Sequence, residues 1–126
     1  MLERQKFTTD HLRFAIENGE FHADIRKSAP LVACVMTQSW CPQWLFMRSW
    51  IKQLAREDGE TEGLSIHTWE TEYDREKLFT DFRSFKEQVW NNREVPYVRY
   101  YCGGKLVHES NFVSAMTFVD NFRQNN

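Results

Sequence analysis

Ser39-Trp40-Cys41-Pro42-Gln43-Trp44 is the stretch on which the reading of this chain turns. It follows the apolar run Leu31-Val32-Ala33-Cys34-Val35-Met36. A short continuous run of this kind suits a central parallel strand covered on both faces. From Pro42 to about Glu57, the residues Trp44, Met47, Ile51, Leu54 and Ala55 fall on one helical face, and Phe46 and Trp50 on another. Cys41 therefore stands where a strand gives way to a helix. Unpaired backbone N–H groups and the positive end of the helix dipole gather there, and both favour a thiolate, the form that attacks disulfides.

Outward from this junction the pattern alternates. Thr8-Thr9-Asp10 can cap a first helix through Leu12, Phe14, Ala15 and Ile16 towards Asn18-Gly19. Helix resumes over Phe21 to Lys27 and ends before Pro30. Asp58 to Gly63 is a polar turn. Leu64 to Glu70 reads as a strand, with Leu64, Ile66 and Thr68 alternating against Ser65, His67 and Trp69. Asp74 to Trp90 reads as a helix with the stripe Leu78, Phe82, Phe85, Val89. Pro96 to Cys102, Gly103-Gly104, and Lys105 to Glu109 read as a β-hairpin. Ser110 or Asn111 can cap a last helix with Phe112, Ala115, Met116, Val119 and Phe122 on one face. An initial short strand can fall at Lys6-Phe7. Helices alternating with strands imply an α/β fold, a mixed sheet of four to five strands with helices on both faces.

Composition bounds the rest. At 126 residues the chain is expected to form one domain, residues 1–126. Hydrophobic residues make up 41% and aromatics 15%, enough for a packed core without a disulfide or metal staple. The formal charge is −2, from 16 basic and 18 acidic residues, without the basic excess of a nucleic-acid surface. No apolar stretch approaches the roughly 20 residues of a membrane helix. Met1 to Lys6 lacks the apolar segment of a secretory signal. Three cysteines do not make a disulfide framework. A reducing, cytoplasmic location follows as the expectation.

With Trp40-Cys41-Pro42 at a strand-to-helix junction and Val95-Pro96 opening a hairpin with Gly103-Gly104-Lys105, the chain resembles the thioredoxin superfamily over nearly its whole length. The resemblance implies a thioredoxin-like fold. It makes Cys41 the nucleophilic cysteine and Pro96 a cis-proline facing it, with Val95 offering its carbonyl and amide to an extended substrate peptide. The motif departs from the family's Trp-Cys-x-x-Cys. Trp44 occupies the place of the resolving cysteine, and Val35 the place of the buried acid that helps deprotonate it. Both halves of the resolving apparatus are missing together, which is coherent with a monothiol site.

Neither other cysteine is expected to substitute. Cys102 lies six residues along an extended strand from Pro96, roughly 20 Å away, against the ~7 Å a disulfide allows. Cys34 is expected to be a remote core hydrophobe. No cofactor is expected, with glutathione as a possible co-substrate. The glutathione-binding features of the glutaredoxin branch are only partly present: no lysine stands shortly before Cys41, where Thr37-Gln38-Ser39-Trp40 lies, and Gly103-Gly104 lies in the hairpin turn. His11, His22, His67 and His108 show no zinc spacing, so no metal is expected. Glu70, Glu72 and Asp74 read as solvated, like the acidic turn at Glu57 to Glu62. Phe79, Phe82, Phe85 and Trp90 read as core.

Two functions are thereby expected. One is a monothiol thiol-disulfide oxidoreductase in which Cys41 forms mixed disulfides resolved by an external thiol. The other is a redox-inactive module that holds a partner peptide at a Trp40/Trp44/Pro96 surface, with Pro42 and Phe46 alongside. The partner would be a protein or small-molecule thiol or disulfide, not nucleic acid or membrane, and the assembly a monomer or weak dimer.

Overall fold

The computed structural model describes residues 1–123; the last three of the expected domain lie outside the described residues. The five strands are β1 (Leu2–Lys6), β2 (Leu31–Thr37), β3 (Ile66–Glu72), β4 (Tyr97–Cys102) and β5 (Lys105–Ser110). They form one mixed sheet in the order β1-β3-β2-β4-β5. β3 pairs parallel with β1 and β2, β4 runs antiparallel to β2, and β5 antiparallel to β4. The five helices are α1 (Thr9–Asn18), α2 (Ala23–Arg26), α3 (Pro42–Leu54), α4 (Phe79–Gln88) and α5 (Ala115–Arg123). All seven residues of β2 are buried, as a strand covered on both sides must be.

The alternation of β2 divides the core. Leu31, Ala33 and Val35 point to one face, where Trp44, Met47 and Ile51 of α3 and Phe118, Val119 and Phe122 of α5 cover them. Val32, Cys34 and Met36 point to the other, against Leu12 and Ala15 of α1, Ile25 of α2 and Phe82 and Phe85 of α4. The second face also buries a cation. Arg99 donates to Glu20 at 2.7 Å and to the hydroxyls of Tyr97 and Tyr101 at 2.9 Å each. Its guanidinium lies 4.2 Å from the centre of the Trp90 ring.

Several boundaries differ from the sequence expectation, each for a local reason. The first strand is Leu2–Lys6, because Leu2 to Lys6 pairs in register with Ile66 to Glu70 of β3. β3 starts at Ile66, since Leu64 closes a turn by donating its N–H to the Thr61 carbonyl. α3 ends at Leu54, and helix resumes only over Ala23–Arg26 behind a His22 cap. A separate 3-10 turn, Tyr73–Arg75, precedes α4. α4 stops at Gln88, before the left-handed Asn91, which leaves Val89 60% exposed instead of on the apolar stripe. α5 starts after Ser114, whose hydroxyl accepts the Thr117 N–H. That register buries Phe118, Val119 and Phe122 and leaves Phe112 and Met116 outside. Thr8 caps α1 as expected.

Candidate functional site

The site forms where β2 ends and α3 begins. Cys41 is the N-cap of α3, with Pro42 at its first turn, where a missing N–H leaves no bond unmade. No side chain caps the helix at this point. Cys41 is 4% exposed, and its Sγ donates to the Val95 carbonyl at 3.8 Å. The Val95–Pro96 peptide bond is cis.

The approach to Cys41 is clamped from below by the 3-10 turn after β3. Asp74 accepts the Ser39 N–H at 2.8 Å and the Ser39 hydroxyl at 2.5 Å. Trp40 is 63% exposed and donates its indole N–H to Gln38. Trp44 turns the other way. It is buried in the same cluster as Cys41 and Val35, and it donates its indole N–H to Glu72 at 2.8 Å. Glu72 is also approached by Arg48 and Arg75. Beyond Trp44 and Glu72 opens a groove of about 500 Å³, bordered by Arg4, Lys6, Arg48 and Lys52.

The structure thus brings Cys41, Val95 and Pro96 together and places Trp44 on the same buried face. It separates the other thiols. Cys34 sits opposite Arg99 and Trp69 on the far face of the sheet, fully buried, and burial pushes its thiol well up. Cys102 pairs with Leu31 at the other end of β2. One expectation needs correcting. Trp44 and Pro96 are buried, so neither contributes to a surface. The exposed apolar residues near Cys41 are Trp40, Leu45 and Phe46, with the Phe46 and Phe112 rings 5.8 Å apart.

Sequence reasoning also missed the acids. Glu70 is 7% exposed and salt-bridged to Arg4, Glu72 holds Trp44, and Asp74 holds Ser39. A signal was present, because Glu70 and Glu72 continue the alternation of Ile66 and Thr68 onto the α3 face. Among the described residues no cluster of His, Cys, Asp and Glu is arranged to hold a metal ion, and no helix is long and apolar enough to cross a membrane.

This architecture is shared with solved structures. Thioredoxin O1 from Arabidopsis thaliana, in its oxidised state, matches with a TM-score of 0.64 over 97% of this chain and 96% of that one, at 14% identity. The chain has the thioredoxin fold. Thioredoxin O2 from Arabidopsis thaliana matches at TM-score 0.60 and 15% identity, over 96% of this chain and 92% of that one. A mutant thioredoxin from Halobacterium salinarum NRC-1 matches at 0.60 and 13%, over 98% and 89%. No family model and no curated protein matches the chain. At these identities the likeness speaks for the thioredoxin fold alone.

Proposed function

We propose that this thioredoxin-fold chain carries out monothiol disulfide exchange at Cys41. The observation that carries this reading is the Cys41 sulfur at the start of α3, 3.8 Å from the Val95 carbonyl, with a tryptophan where a second thiol would stand. The Cys41 thiolate attacks one sulfur of a disulfide. A Cys41–S–S–R bond forms, the old S–S bond breaks, and the departing thiolate takes up a proton. Trp44 cannot displace the bound group, so an external thiol such as glutathione attacks the mixed disulfide, leaves with the bound group as a new disulfide, and returns Cys41 as a thiolate. Val95 would pair through its backbone with an extended substrate, which must replace the S–H contact that now covers the sulfur.

The test is incubation with glutathione disulfide followed by intact-mass measurement. One glutathione on the wild-type chain, none on Cys41→Ser, and release by reduced glutathione are the expected results. No adduct under conditions that label Cys41 in urea would count against the reading.

A second reading is favoured by the 4% exposure of Cys41 beside exposed Trp40 and Phe46. It is a module that holds a peptide without turnover. On that reading a cysteine-free peptide would bind, and Trp40→Ala would abolish its binding while Cys41→Ser left it unchanged.

A further inference from the structure

Lys86 of α4 is 0% exposed, a rare place for a lysine, which is kept only when its ammonium is well satisfied. It donates to the Asn92 carbonyl at 2.9 Å and the Glu94 carbonyl at 2.8 Å. The Asn92 N–H returns a bond to the Lys86 carbonyl at 3.2 Å. From the other side, the Asn111 amide donates to the Pro96 carbonyl and to the Asn92 side chain, both at 3.0 Å, and accepts from Asn92 at 3.2 Å. The carbonyls of Asn92, Glu94 and Pro96 are each held by a side chain, while that of Val95 receives the Cys41 S–H.

We propose that Lys86 is a positioning residue: its ammonium, with the Asn92–Asn111 amide pair, fixes the loop 92–96 so that the Val95 carbonyl covers the Cys41 sulfur. Bonds from a charged donor are the stronger kind, and here they span a segment with no strand or helix of its own. Burial pushes the ammonium down to about 8, while Glu87 and Glu94 pull it up. The clasp therefore sets how often the loop lifts and the thiol is uncovered, a local opening separate from unfolding.

The inference rests on Cys41 being the working thiol, but its test reads geometry and needs no turnover. Wild type and Lys86→Met are treated with iodoacetamide under native conditions, and labelling at Cys41 and Cys34 is followed by peptide mass spectrometry. Cys34, buried on the far face, reports only global opening. Loss of the clasp should raise the Cys41 rate relative to Cys34 by at least about tenfold, the value of losing even one of the two bonds from its charged donor. Equal acceleration at both cysteines would make Lys86 merely structural and overturn the proposal, as would an unchanged ratio. Should Lys86→Met fail to fold, Asn111→Ala loosens the same loop from its other side and gives the same two readings. Absence of a glutathione adduct alongside a shifted labelling ratio would defeat the functional reading and leave the clasp standing.

Discussion

Trp44 decides most of what Cys41 can do. It fills the space behind the sulfur and satisfies Glu72, so Trp44→Cys trades packing for chemistry. The substitution should lower the melting temperature, because removing a buried tryptophan costs about 3–5 kcal/mol. It should also confer measurable insulin reduction, with Val35 in place of an acid limiting the rate. A folded Trp44→Cys chain with no insulin reduction would remove Cys41 from the nucleophile's role. Residue-scale features were legible where they were local. Trp40-Cys41-Pro42 is one contiguous motif, and Val95-Pro96 a single dipeptide. The Trp44–Glu72 and Ser39–Asp74 bonds were not legible, because they join residues 28 and 35 positions apart and exist only once β3 has been laid beside β2.

Among the elements, the 3-10 turn Tyr73–Arg75 serves as the footing of the cysteine loop. Asp74→Ala removes both acceptors from Ser39 and should accelerate exchange of the Ser39 amide by at least about tenfold, at a cost of about 1–3 kcal/mol. Hydrogen-exchange mass spectrometry over Gln38 to Trp40 checks it; unchanged protection would show that the loop stands without the turn. The β4–β5 hairpin makes a second prediction. Gly103 and Gly104 have φ of 60° and 86°, the pair of positive values a two-residue hairpin turn demands. An added Cβ at Gly104 would lie 2.7 Å from Lys27, whereas Gly103 has open space. Each alanine should cost about 1–2 kcal/mol through left-handed strain, and Gly104→Ala more of the two, read from urea midpoints. Element identities were legible from periodicity. Their ends were not, because Ser114, Leu64 and Asn91 set the boundaries through hydrogen bonds and backbone turns that apolar spacing does not encode.

For the molecule as a whole, Lys86 gives stability a pH signature. Its ammonium is pushed from 10.5 in the open chain to about 8 in the fold. Across that interval the unfolded chain binds the proton and the folded chain does not, so stability rises with pH from about 8 towards 10. The urea midpoint should increase between about pH 8 and pH 9.5 in the wild type and lose that slope in Lys86→Met. A slope that survives the substitution would place its source elsewhere. The two-faced sheet was legible in the all-apolar β2. The cation buried on its second face was not, because Arg99 alternates within β4 like any residue and meets Glu20 only in three dimensions. That pairing reaches beyond the single molecule. Losing Glu20 leaves the buried Arg99 guanidinium with the more distant Glu109, 3.6 Å away, whereas losing Arg99 leaves Glu20 within reach of water. The two positions are thus unequally bound in inheritance: descendants of this chain that keep Arg99 should keep an acid within its reach, at position 20 or at position 109.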